Sequence, residues 1–171
     1  WFHNKPMIGY ASTASFALAV FFGLRAADQG QWLLPLIAIA VIYYVAGYFL
    51  RRGDRAKGWD EMLLYSGLGL GTLVAVTAPY QSGGPENALP IAIAATFYAA
   101  EAFARKNVWL GFPANILYLI AYFVILSELK VDEPQFFTVG AAALGLLQHY
   151  LLRRAGSKRA AFLTGLVSQL V

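Results

Sequence analysis

The same helix ending occurs three times in this sequence: an aromatic residue followed closely by a basic pair. The copies read YFLRR at 48–52, FARK at 103–106 and YLLRR at 150–154. Each closes an apolar run that is long enough, or nearly long enough, to cross a bilayer. Aromatic residues beside basic ones are typical of the point where a helix leaves lipid on the cytoplasmic side. The sequence therefore predicts a helical protein that spans a membrane several times.

The composition supports this interpretation. Hydrophobic residues make up 59% of the chain and charged residues 13%, whereas soluble domains carry about 25% charged residues. A chain of 171 residues cannot bury this much apolar surface in its own core, so lipid has to cover part of it. The sequence contains no cysteine, which excludes disulfides, thiolate metal sites and a cysteine nucleophile.

Seven apolar segments are separated by short loops rich in Gly, Pro, Asp and Gln, which favour turns. Short loops make successive helices antiparallel neighbours, so we expect an all-α bundle of repeated hairpins forming one transmembrane domain over residues 1–171. The expected spans are about 7–24, 32–50, 62–78, 89–104, 108–126, 136–152 and 160–171. At about 1.5 Å per residue the last is too short to cross, and the chain begins at Trp1 rather than Met. We therefore expect a piece of a longer protein.

Lysine and arginine are distributed unequally between the two sides of the predicted bundle. Only Arg25 and Lys130 fall on one side, whereas the other holds Lys5, Arg51, Arg52, Arg55, Lys57, Arg105, Lys106, Arg153, Arg154, Lys158 and Arg159. The side with more positive charge faces the cytoplasm, which predicts a cytoplasmic N-terminus and a bacterial inner membrane as the location. This asymmetry also accounts for the basic composition, so no nucleic-acid partner is expected.

An internal repeat relates the second, fourth and sixth segments. Residues 34–35 and 89–90 are both Leu-Pro, and in the same ungapped alignment Tyr43 matches Tyr98. Residues 48–52 match 150–154 in the third copy. Proline suits the first turn of a helix. The alternative is that spanning helices look alike because their composition is limited; the shared Pro and Tyr positions favour true repetition.

Glu101 is the only acidic residue well inside an apolar segment, and an intramembrane carboxylate is a candidate for a proton or cation path. It lies four residues before Arg105, a spacing that allows an ion pair on one helix face, and near enough to the interface to reach headgroups. A structural role for Glu101, as the ion-pair partner of Arg105, is favoured over a role in transport. Asn115 and Gln148 are the other candidates for a polar pathway.

His149 is a candidate ligand for haem iron or chlorophyll magnesium. No second histidine lies on a facing helix, because the other one is His3 in the N-terminal tail. A hydrogen bond to a neighbour or a headgroup is the favoured alternative. No metal site or catalytic residue is predicted.

Gly67, Gly71 and Pro113 are expected to shape helix packing, and three hydroxyl residues are expected to link helices. Gly67 and Gly71 form a G-x-x-x-G pattern that lets helices approach closely. Pro113 is expected to kink the fifth helix, and the hydroxyls of Ser12, Thr13 and Ser15 are expected to bond between helices.

The sequence VDEPQFF at 131–137, followed by a helix of small residues, resembles long bacterial membrane proteins of unassigned function that are built from tandem two-helix repeats. The resemblance covers mainly the fifth and sixth segments and implies no activity.

Together these features favour a non-catalytic integral membrane subunit of a larger energy-transducing complex, photosynthetic or respiratory. Its partners would be membrane lipids and other integral subunits, and a lipid, quinone, carotenoid or chlorin is a candidate hydrophobic cofactor. The alternative is a small-solute transporter or channel that uses Glu101 and Asn115. A lipid-modifying enzyme is the third possibility, but it lacks an acid–base or metal constellation.

Overall fold

The computed structural model describes residues 6–53, 58–81 and 83–154. This part of the chain is all-α, with six α-helices and no strand. The helices are α1 (Pro6–Ala26), α2 (Leu33–Gly53), α3 (Trp59–Thr77), α4 (Ala88–Ala104), α5 (Gly111–Glu128) and α6 (Pro134–Arg154). The expected segment 160–171 lies outside the described residues.

Five helices, α1 to α5, are long and apolar enough to cross a membrane, which indicates a membrane protein. Helix α6 has 21 residues, enough length for a span. It is not among those five, because Gln135, Gln148 and His149 make it less apolar. It also buries just two of its residues, Gln148 and Leu152.

The first compact unit contains α1, α2 and α3. Helices α2 and α3 share its most extensive contact, and glycines bring them close together. A Cβ added to Gly67 would lie 2.7 Å from the backbone nitrogen of Tyr44, and one added to Gly47 would lie 2.7 Å from that of Leu64. Without side chains at these two points, the helices approach until backbone meets backbone.

Helix α1 packs mainly against α3, through a hydroxyl contact. The Oγ1 of Thr13 lies 2.9 Å from the Oγ of Ser66, and the Tyr43 hydroxyl donates to the Thr13 carbonyl at 3.3 Å. Ser12 and Ser15 are exposed instead. Of the three hydroxyls expected to bond between helices, that of Thr13 therefore does so. A polar side chain within lipid needs such a partner.

The second compact unit contains α4, α5 and α6. Helices α4 and α5 are joined by a 2.9 Å hydrogen bond between the hydroxyls of Thr96 and Tyr118. Tyr122 of α5 donates to the Phe136 carbonyl of α6 at 2.7 Å, and its ring occupies the space that a side chain at Gly140 would need. The antiparallel helices α5 and α6 are thus fixed together near the α5–α6 connection.

In the part of the chain that the structure describes, three helices end with a non-glycine residue in the left-handed conformation. These residues are Asp28 after α1, Lys106 after α4 and Lys130 after α5, with φ of 57°, 51° and 55°. At each end the same two backbone hydrogen bonds close the Schellman motif, for example Lys106 N to Phe103 O and Asn107 N to Ala102 O. The motif fixes where the chain turns after α1, α4 and α5. It also fixes the backbone positions of Lys106 and Lys130.

Candidate functional site

A cavity of about 390 Å³ lies between α4, α5 and α6. Each helix lines it with residues at i, i+3, i+4 spacing, which share one helix face. The lining consists of Ala99, Ala102, Phe103, Lys106, Val108, Gly111, Ala114, Asn115, Tyr118, Leu144, Leu147, Gln148, Leu151 and Leu152. Small residues on α4 and α5 leave space that the leucines of α6 do not fill. The result is a mostly apolar cavity of the size that binds small molecules.

Two carboxamides that line this cavity are joined by a hydrogen bond. Asn115 Nδ2 donates to Gln148 Oε1 at 2.6 Å. Gln148 is 9% exposed, and among the described residues its Nε2 has no hydrogen-bond acceptor. A buried N–H without a partner is costly in a protein interior, so this donor marks a place where an acceptor oxygen is favoured.

The end of the cavity near the α4–α5 connection is basic and aromatic. Lys106 lines the cavity there and is exposed. In the 3₁₀ turn Val108–Leu110 that follows, Trp109 stacks on Phe112 with ring centroids 5.6 Å apart. The backbone N–H of Trp109 donates to Asn107 Oδ1 at 3.1 Å, which caps this turn. An exposed Trp beside Lys is the composition of a membrane–water interface.

Glu101 does not line this cavity. It is 1% exposed, and its Oε2 accepts a hydrogen bond from Arg105 Nε at 2.5 Å. Successive helix residues are about 100° apart, which places Glu101 on roughly the opposite side of α4 from Ala99, Ala102 and Phe103. The i,i+4 spacing gives the expected ion pair. The pair holds the carboxylate buried beside its own helix.

His149 is partly buried on α6 and does not line the cavity. Among the described residues, no group of three or more His, Asp or Glu side chains is placed to hold a metal. Of the candidate polar residues, the structure brings Asn115 and Gln148 together and leaves Glu101 and His149 elsewhere.

The structure places Gly67 and Gly71 on α3 and Pro113 in the first turn of α5. Gly67 lies at the α2–α3 contact, and Gly71 is buried one turn later on α3. Pro113 is the third residue of α5. We expected it to kink a longer helix, but a 3₁₀ turn precedes α5 and puts this proline in the first turn. There its missing N–H removes no hydrogen bond.

Sequence reasoning missed Gly47 and the three lining faces of the cavity. The signal for the faces was present, since Ala99, Ala102, Gly111 and Ala114 are small residues at helical spacing. Such spacing is equally typical of tight packing, and only the helix arrangement distinguishes a void from a contact.

Comparisons with known protein families, curated proteins and solved structures give no match for this chain.

Proposed function

We propose that this protein is a non-catalytic integral membrane subunit that packs within a larger, energy-transducing membrane complex and holds a lipid or hydrophobic cofactor. The observation that carries the proposal is the α4–α5–α6 cavity. Its lining is apolar apart from Asn115, Tyr118, Gln148 and, at one end, Lys106. Such a site suits an amphipathic molecule that stays bound.

The proposal also includes the arrangement of the chain in the bilayer. The N-terminus would lie in the cytoplasm, because most of the basic residues lie at the end of α2 and just after it, in the α4–α5 connection and at the end of α6. Helix α6 and the segment 160–171 would complete about seven spans. The location would be a bacterial inner membrane.

True repetition of a helix pair is part of the same proposal. In the ungapped alignment of the two segments, α2 and α4 begin at equivalent residues, Leu33 and Ala88. Leu36 and Ala40 of α2 are buried, and so are the equivalent Ile91 and Ala95 of α4. Helix starts and buried positions that coincide support duplication more strongly than similar composition does.

Contact with other subunits is favoured by the exposed apolar surface of α1. Met7, Phe16, Leu18 and Phe22 are each at least half exposed. Only a small share of this helix is covered within the chain. Either lipid or another membrane protein has to cover such a surface, and the proposal assigns part of it to partner subunits.

A transporter that uses Glu101 and Asn115 together is less well supported. Asn115 of α5 lines the cavity, whereas Glu101 lies on the side of α4 that faces away from the cavity, and its carboxylate is held by Arg105. A solute path would need them to face one cavity.

The test is gentle extraction of the protein from its own membrane, followed by native mass spectrometry and an absorption spectrum of the same sample. We expect partner subunits in fixed stoichiometry with the 18.7 kDa chain. Pigment or haem bands in that sample would identify an energy-transducing assembly. A monodisperse species that contains this chain alone would contradict the subunit assignment.

A further inference from the structure

We infer that the α4–α5–α6 cavity binds an acidic glycerophospholipid, with an ester carbonyl at Gln148 and the phosphate at Lys106. This inference rests on the part of the proposed function that places the chain in a membrane. It adds the chemical class of the ligand and a role for Lys106 and Gln148.

The Nε2 amide of Gln148 offers a hydrogen-bond donor to a ligand in the cavity. Its Oε1 is occupied by Asn115, which also fixes the orientation of the carboxamide, while Nε2 has no acceptor among the described residues. The side chain is 9% exposed and lines the cavity. A ligand that offers an oxygen acceptor satisfies this N–H, and an ester carbonyl offers one without bringing a charge into the apolar interior.

The walls of the cavity are mostly apolar and extend along the helices. On α5 the lining runs from Gly111 to Tyr118, which is a length of about 10 Å along the helix. Over this length the walls are formed mainly by Ala, Leu and Val side chains and by Phe103. The cavity volume of about 390 Å³ is near the lower end of ligand sites. An acyl chain matches this narrow apolar space along the helices.

The end of the cavity near the α4–α5 connection is positively charged. Lys106 lines the cavity, and the Schellman motif at the end of α4 fixes its backbone there. Arg153 and Arg154 follow Leu152 at the end of α6. No Asp or Glu is present among the described residues that line the cavity. A basic pocket between membrane helices on the cytoplasmic side is suited to an anionic headgroup.

A glycerophospholipid carries a phosphate, an ester carbonyl and an acyl chain in one molecule, and the cavity offers a partner for each: Lys106, Gln148 and the apolar walls. A quinone supplies the carbonyl but no anion for Lys106. A free fatty acid has one carboxylate and cannot occupy Lys106 and Gln148 with separate groups. An acidic glycerophospholipid engages both residues at once.

The experiment uses the full chain, purified and delipidated in detergent, with phosphatidylglycerol, phosphatidylcholine, oleate and a ubiquinone as probes of the site. Native mass spectrometry counts the molecules that remain bound. Both lipids carry the phosphate, but in phosphatidylcholine the choline cation offsets its charge. We therefore expect one phosphatidylglycerol to bind about tenfold more tightly than phosphatidylcholine. Equal binding of the two lipids, or stronger binding of oleate or the ubiquinone, would overturn the inference.

Two variants separate the two contacts. Lys106→Gln should remove the preference for the acidic headgroup while both lipids still bind. Its control is Lys130→Gln, which changes a lysine in the same left-handed conformation at the end of α5. Gln148→Leu should weaken both lipids equally, because both carry the ester carbonyl. Its control is Gln135→Leu, at the exposed start of α6.

An ether-linked phosphatidylglycerol, which lacks the carbonyl, tests the Gln148 contact directly. The unmodified protein should bind the ether lipid less tightly than the ester lipid, and Gln148→Leu should bind the two equally. If Gln148→Leu still prefers the ester lipid, the assignment is wrong. Because Lys106 is exposed, its variant keeps the test decisive even if Gln148→Leu does not fold.

The outcome is independent of the partner subunits. A selective lipid site in a chain that purifies alone would refute the subunit proposal and support this inference. Partner subunits without lipid selectivity would do the reverse.

Discussion

Gly47 of α2 and Gly67 of α3 each lie against the backbone of the other helix. The space beside Gly47 is closed by Leu64 N and Asp60 O, and the space beside Gly67 by Tyr44 N and Ala40 O. Backbone atoms cannot move aside as the end of a flexible side chain can. The α2–α3 contact therefore tolerates no side chain at either position.

Substituting Gly67 by Ala should separate the two helices and destabilise the first unit by about 1–3 kcal/mol, the usual range for overpacking. The control is Gly69→Ala on the same helix, where no atom lies within 4 Å of the added Cβ. It should be neutral or stabilise α3 by up to about 1 kcal/mol, because Ala is the better helix former. Thermal unfolding in detergent measures both. Similar losses of stability in the two variants would contradict the contact.

The absence of cysteine makes the proposed orientation easy to test. Gly30 lies between α1 and α2, Gly53 ends α2, and a Cβ added to either meets no atom within 4 Å. A membrane-impermeant maleimide applied to intact cells should label Gly30→Cys and not Gly53→Cys. Labelling of Gly53→Cys should appear only after the membrane is permeabilised. The opposite pattern would mean that the N-terminus faces outward.

The Asn115–Gln148 pair should show strong coupling. Asn115→Leu leaves the buried Gln148 Oε1 without its donor, which should cost about 1–3 kcal/mol. Combining Asn115→Leu with Gln148→Leu removes both polar groups, so the double variant should be more stable than the sum of the single changes predicts. Thermal unfolding of the four proteins in lipid-free detergent provides the cycle. Additive losses would show that the hydrogen bond has no net energetic role.

The Glu101–Arg105 pair predicts an asymmetry. The Glu101 side chain is 2% exposed and that of Arg105 is 27% exposed. Arg105→Gln leaves a buried carboxylate without its cationic partner, whereas Glu101→Gln leaves a cation that has access to solvent. Arg105→Gln should therefore lower the unfolding temperature more than Glu101→Gln does. An equal effect would indicate that the carboxylate is better hydrated than its burial implies.

The helix content and the span-length helices were predictable because lipid imposes a long, nearly uninterrupted apolar pattern. The pairing of Glu101 with Arg105 follows from short-range spacing. Which faces meet depends on contacts between distant residues. The approach of Gly47 to α3 and the pairing of Asn115 with Gln148 across 33 positions have no local signature.

The candidate site was less predictable for the same reason. Asn115, Gln148, Glu101 and His149 are all polar residues in apolar segments. All four satisfy that criterion, but just two of them share a cavity. Pro113 shows a different limit, since its effect depends on whether a helix begins three residues earlier or later.

The close approach of α2 and α3 at Gly47 and Gly67 also bears on the order of events during synthesis. It joins two helices that are adjacent in the chain, so it can form once α3 has entered the bilayer, while α4 is still on the ribosome. Membrane helices insert first and associate afterwards, and the association of sequential neighbours requires the shortest search. The α2–α3 hairpin would then be an early folded intermediate, against which α1 settles through Thr13 and Ser66.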